Sequence, residues 1–205
     1  MATSPQRAYR AACPNCGAPV EFRSAASASA VCSFCRSTLV RDGDALRRIG
    51  VSAELFDDHS PLQLGAAGTY QGSAFTLVGR LQYGYADGTW NEWHALFDSG
   101  RSGWLSEDNG AYVFAFAAPL QGAAPPADEL TAGERRLVDN AAWSVASVTR
   151  AKLIAAQGEL PRPPQQGDAE FVVADLRNER DEVGTLDYGE PAAVSWSIGR
   201  AVRLA

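Results

Sequence analysis

Two Cys-x-x-Cys pairs, Cys13-Pro14-Asn15-Cys16 and Cys32-Ser33-Phe34-Cys35, hold all four cysteines of the chain. A Cys-x-x-Cys turn places two thiolates on one metal, and two such knuckles complete a tetrahedron with no position left for a catalytic water. With residues 17–31 between the pairs, the spacing is that of a zinc ribbon holding one structural zinc ion. The same four sulfurs accept iron, so the ligands alone do not choose the metal. Disulfide pairing is the competing reading, and a reducing compartment disfavours it. A redox-active dithiol fits poorly, because no βαβ pattern surrounds either pair.

Trp90-Asn91-Glu92-Trp93-His94 is the second constellation. On a strand, Trp90, Glu92 and His94 share one face while Asn91 and Trp93 share the other. The first face joins a flat ring, a negative charge and an imidazole, a combination suited to a cation or a basic peptide. The competing reading is a barrel core that buries Trp93 and leaves the polar residues in water. Trp104 and Glu107 follow closely, and Glu159 stands in Gly158-Glu159-Leu160-Pro161. The candidate binding surface is therefore Trp90, Glu92, His94, Trp104, Glu107 and Glu159. Glu107 and Asp108 are also candidates for an acid–base pair, but just before Asn109-Gly110 they read as an exposed hairpin turn. His59 and His94 are the two histidines; His59 sits in a turn, and neither has a nucleophile beside it in a recognisable motif. With no triad order, phosphate loop or dinucleotide fingerprint, no catalytic residue is assigned, and a non-enzymatic role is expected.

The elements that must position these residues read as mainly β. Val20 and Phe22 alternate with polar neighbours, Ser24–Ala30 is a small-residue turn, and Leu39-Val40 is again extended, so the ribbon spans residues 13–42. A module this short cannot bury enough surface alone, so metal binding must supply most of its stability. Residues 1–12 read as a flexible N-terminus, Arg41–Arg48 as a charged connector turning at Gly43, and Ile49–Leu55 as a strand. Asp57–Pro61 is a turn-rich break. Thr69–Gly72, Ala74–Tyr83 and Trp93–Phe97 are expected strands, punctuated by Gly72, Gly84, Asp87-Gly88, Ser99-Gly100, Ser102-Gly103 and Asn109-Gly110. Pro119–Asp128, with its adjacent Pro125 and Pro126, reads as an internal linker. Beyond it, Arg135–Val138 and Trp143–Val148 pair across Asp139-Asn140; Trp143–Gln157 also fits a helical face, and strand is favoured for its first half. Glu170–Leu176, Gly184–Tyr188 and Ala192–Trp196 are the last expected strands. The expected fold is a small N-terminal zinc ribbon followed by a β-barrel or sandwich-like domain. A first β unit over residues 49–118 and a second over 129–205, flanking a linker at 119–128, stay open as related copies, because Leu62, Gly65, Phe75 and Leu77 align at a fixed offset with Leu130, Gly133, Trp143 and Val145.

Composition narrows the function classes. The formal net charge is −6, which disfavours general phosphate-backbone binding, so nucleic acid is not an expected partner. Arg36, Arg41, Arg47 and Arg48 form a local basic stretch of the kind that usually faces solvent. No stretch is long and apolar enough to span a bilayer, and the first residues lack the apolar region of a signal peptide. A cytoplasmic location is expected.

Phe75-x-Leu77-Val78-Gly79-Arg80, Trp90-Asn91-Glu92-Trp93, Gly103-Trp104-Leu105-Ser106-Glu107 and Gly158-Glu159-Leu160-Pro161 together resemble a bacterial family known as domain of unknown function 4178. With the double knuckle, the resemblance covers roughly residues 12–190. Arg162 departs from the pattern, which has an aromatic residue there. The resemblance implies no activity and no catalytic residues; relatives encoded near polyamine-synthesis and membrane-stress proteins imply an accessory role. The expectation is thus a non-enzymatic binding or adaptor protein whose partner is a protein or peptide, with a cationic small-molecule sensor or enzyme as the alternative and nucleic-acid binding through the ribbon as the weaker one. Sequence gives no oligomeric state.

Overall fold

A computed structural model describes residues 8–43, 45–56, 58–164, 169–189 and 193–204. Residues 1–7 of the expected flexible N-terminus, Asp57 of the turn-rich break and Ala192 of the last expected strand lie outside them.

Among the described residues, strands dominate and one 3-10 turn (Ala127–Glu129) is present. In chain order the strands are β1 (Tyr9–Ala12), β2 (Pro19–Phe22), β3 (Ser29–Val31), β4 (Ser37–Asp42), β5 (Ala45–Val51), β6 (Ala67–Tyr70), β7 (Ser73–Tyr85), β8 (Gly88–Phe97), β9 (Ser102–Asp108), β10 (Ala111–Ala117), β11 (Arg135–Val138), β12 (Ala141–Leu160), β13 (Phe171–Arg177), β14 (Glu182–Asp187) and β15 (Ser195–Val202). Strands β12-β13-β14-β15-β10-β9-β8-β7 lie side by side, and β7 also pairs with β12, so these eight form a closed β-barrel; β3, β4, β5, β6 and β11 extend the sheet.

Turn chemistry sets the registers. Asn109-Gly110 and Asp139-Asn140 both take positive φ at each residue, +47° and +78° in the first and +51° and +58° in the second. Paired positive φ angles match the right-handed twist of two strands joined by a two-residue loop. They pin Ala111 against Asp108 and Ala141 against Val138.

Several expectations are corrected. Tyr9–Ala12 is not frayed but pairs with β2, Tyr9 lying against Phe22 and beneath the Arg41 guanidinium. The charged connector is the β4–β5 hairpin, turning at Gly43 with φ +59°. Trp143–Gln157 is strand throughout as part of β12, which pairs with β13 from Ser144 to Ala151 across a register shift between Val145 and Ser147. The last strand starts at Ser195 and runs on to Val202, pairing with both β14 and β10.

The chain clusters into two compact units. The first comprises Met1–Gln82, Asn91–Ser102 and Leu153–Gly167. Its ribbon core is small: Val20, Phe22, Ala30 and Leu39 are buried with Cys13 and Cys32, two of the four thiols. The second comprises Tyr83–Trp90, Gly103–Lys152 and Asp168–Ala205. Its core joins Trp143, Val145, Ala174, Leu176, Leu186 and Trp196, capped by Leu130 and Val138, and the two indoles meet edge-on at 5.2 Å. Gly184 is required there, since a Cβ would collide with the Trp196 indole and crowd that of Trp143.

Candidate functional site

The two knuckles bring all four sulfurs within 4.8 Å of one another, so a single ion could reach every thiolate. The short contacts run between the knuckles: Cys13 Sγ to Cys35 Sγ and Cys16 Sγ to Cys32 Sγ are each 3.7 Å. That is well beyond the ~2.05 Å of a disulfide bond. Each knuckle is closed by its own backbone, Gly17 N–H donating to the Cys13 carbonyl and Arg36 N–H to the Cys32 carbonyl, with Gly17 and Arg36 at positive φ. Two of the thiols are pushed in opposite directions. The Ser37 hydroxyl, then the Asn15 side chain, holds Cys35 down at about 5. The Ala18 amide favours the Cys16 thiolate, but its neighbours, Cys35 first, push it up to about 12. A divalent cation at the centre removes that conflict, because thiolates are the ligands it needs.

The remaining candidates are not all at the surface: His94, Glu107 and Glu159 are buried. Trp90 does stand with other rings: Tyr83 stacks on it at 5.0 Å and Tyr85 packs tilted at 5.6 Å, with Phe171 edge-on to Tyr83. Glu92 is half-buried. Trp104 and Glu107 lie three apart on β9, hence on opposite faces. Trp104 is half-buried, whereas Glu107 is buried and accepts from the Tyr112 hydroxyl at 3.3 Å. The expectation of an exposed Glu107 turn is therefore corrected; β9 runs to Asp108 and the turn is Asn109-Gly110.

His94 and Glu159 are interior residues rather than surface ones. His94 is 0% exposed and bridges two elements, Nδ1 lying 2.9 Å from the Glu159 carbonyl and Nε2 2.9 Å from Ser102 Oγ. A carbonyl only accepts, so Nδ1 carries the proton and the Ser102 hydroxyl donates to Nε2. Burial, opposed by the bond to Glu159, holds the imidazole below its ordinary pKa and favours this neutral tautomer. Glu159, 4% exposed, accepts from two ribbon amides: Arg23 N–H at 2.7 Å and Ser24 N–H at 2.9 Å. Gly79 lets β7 pass against this point; a Cβ there would strike the Glu159 carbonyl oxygen.

Two groups take part in networks that sequence reasoning did not find. Asp58, in the turn-rich break, is the centre of a polar network over Trp93. Its Oδ2 accepts from Arg80 at 2.7 Å, Asn91 at 2.6 Å and Gln82 at 3.1 Å, while the Arg80 guanidinium lies 4.7 Å above the Trp93 ring. Burial pushes the Asp58 carboxyl up, but bonds from Asn91 and Arg80 outweigh it and hold the group below its usual range. Alternation marked Asn91 and Trp93 as one face, yet nothing local pointed to Asp58. The second group is Asp108, on the Trp104 face of β9. Burial and the nearby Asp175 raise its pKa against a hydrogen bond with Tyr85, whose own phenol is raised by burial and then by Asp108. Asp175 in turn accepts from the Ser147 and Thr185 hydroxyls.

A mainly β barrel with a four-cysteine cluster at its N-terminal end defines the class. Residues 63–204 match the family model of DUF4178, a domain of unknown function, and the chain belongs to that family. The matched segment begins after the cysteines. No curated protein and no solved structure matches the chain.

Proposed function

We propose that the chain is a non-enzymatic, cytosolic binding protein that takes a cationic group against the Tyr83–Trp90–Tyr85 stack and is steadied by one structural zinc. The observation that carries the reading is the placement of Asp108 beside Tyr85, which itself packs on Trp90. Aromatic faces attract cations by ~0.5–2 kcal/mol, and a carboxylate beside them adds charge pairing. Zinc is supported by the sulfur geometry. A tetrahedron with ~2.3 Å metal–sulfur bonds has edges of about 3.8 Å, and the cross-knuckle pairs stand at 3.7 Å.

The cationic group belongs, in this reading, to a basic segment of a protein partner. Titration of a lysine- and arginine-rich peptide at physiological salt, followed by tryptophan fluorescence, tests it. Binding should fall at least tenfold in Trp90→Ala and Asp108→Asn, with circular dichroism unchanged. Saturable binding of spermidine but not the peptide transfers the site to a free polyamine; binding of neither ligand refutes the reading. A second reading, adaptor docking through the ribbon, is favoured by Phe34 at the tip of the second knuckle, 73% exposed, and by Phe56, 64% exposed.

A further inference from the structure

The ribbon is fastened to β12 at more points than a tethered module needs. Strand β3 pairs with the end of β12, with Ser29, Ala30 and Val31 opposite Leu160, Glu159 and Gly158. The Ser29 hydroxyl donates to the Arg162 carbonyl at 2.9 Å. Ser52, just past β5, donates to the Ala156 carbonyl and accepts its N–H, at 2.9 and 2.8 Å. The Glu159 carboxylate closes the set on the Arg23 and Ser24 amides.

The Glu159 carboxylate contacts lie at the far end of β2 from the cysteines, whereas Val31 and Ser52 stand beside the second knuckle, Ser52 N–H donating to the Arg36 carbonyl. Strand β2 begins at Pro19, soon after Cys16, and ends at Phe22; β3 ends at Val31, beside Cys32. The turn that Glu159 holds therefore connects two strands whose other ends are anchored at the knuckles. Two of the thiols also complete the ribbon core around Phe22 and Leu39. A core this small cannot keep the turn in place once its metal cross-link is lost. A buried carboxylate stripped of two donors is costly, so it must be resolvated. Loss of the turn also withdraws β3 from Gly158–Leu160, so the end of β12 loosens with it. His94 reads that motion directly, because its Nδ1–H is held by the Glu159 carbonyl and its Nε2 by Ser102.

We propose that the ribbon is a metal-dependent clamp on β12, with Glu159 as its latch and the His94–Ser102 pair as its readout. Metal occupancy then sets the order of the β12 end and of Ser102, which follows the β8–β9 turn. The device converts metal supply into a local loosening of the first compact unit, without requiring the chain to unfold.

The proposal rests on the cysteine cluster holding a metal, which elemental analysis of the same sample establishes separately. The full chain is compared with and without a chelator by amide hydrogen exchange and by the nitrogen shifts of His94. Removal of the metal should raise exchange at least tenfold at Arg23, Ser24 and Gly158–Leu160 and shift His94, while Trp143, Leu176 and Leu186 keep their protection. In metal-loaded Glu159→Gln, exchange should rise at Arg23 and Ser24 with metal content unchanged. Loosening confined to residues 9–51 would overturn the proposal. So would loss of protection over the whole chain, which would make the metal a determinant of the fold rather than of one clamp. Unchanged protection of Arg23 and Ser24 in Glu159→Gln would remove Glu159 as the latch.

Discussion

Asp58→Ala tests whether a long-range polar network, rather than apolar packing alone, fixes the first compact unit. The Asp58 and Arg80 side chains are 16% and 10% exposed, so water screens them weakly. The substitution removes three bonds to Oδ2 and leaves the guanidinium facing Asn91 and Trp93 without its counter-charge. Breaking a buried pair on one side costs about 3–5 kcal/mol. At ~2–4 °C per kcal/mol for a chain of this size, the melting temperature should drop by roughly 6–20 °C. The double variant Asp58→Ala/Arg80→Met should recover part of that loss, since no charge is then left buried. The assay is a double-mutant cycle by urea denaturation. A coupling below about 0.5 kcal/mol, within the additivity of independent sites, would refute the reasoning. Because the Asp58 carboxyl is held below its usual range in the folded chain, its contribution is present above pH ~3.9 and fades as pH falls through the folded value.

Three further outcomes follow from the site. Gly79→Ala places a methyl against the Glu159 carbonyl, which is backbone and cannot step aside, so urea midpoints should report a loss of about 1–3 kcal/mol or more. His94 has a depressed folded pKa, so the unfolded chain binds the extra proton. Stability from this group is complete above pH ~6.5 and declines as pH falls below it, and His94→Gln should flatten that part of the stability–pH curve. Ser102→Ala should cost about 0.5–1.5 kcal/mol as a lost hydrogen bond, and a fluorophosphonate probe should leave Ser102 unlabelled; labelling would make the Ser102–His94 pair a working nucleophile and base.

The cysteine cluster was legible because ligand type and spacing act locally: each knuckle is a single turn. The β character was legible from Asn109-Gly110 and Asp139-Asn140, whose backbone angles determine the hairpins around them. Burial was not. Along β8, Trp93 to Phe97 are all buried, so the alternation that separates an inner from an outer face fails where both faces are covered. His94 and Glu159 looked like surface groups for that reason. Their partners, Ser102 and the Arg23–Ser24 turn, are set by which strands the barrel brings together. Asp58 reaches Asn91 across 33 residues and Glu159 reaches Ser24 across 135, separations that no periodic pattern records. The compact units are divided within β7, β8, β9 and β12, so no run of consecutive residues marks them out.

Both the proposed zinc and the proposed clamp require the cysteine cluster to be a closed structural metal site. Elemental analysis of the purified full chain, paired with alkylation of Cys13, Cys16, Cys32 and Cys35 before and after chelation, measures this. One zinc per chain, with the four thiols protected until the chelator is added, is the predicted result. Iron in place of zinc, or four thiols that alkylate freely without any metal, would contradict it.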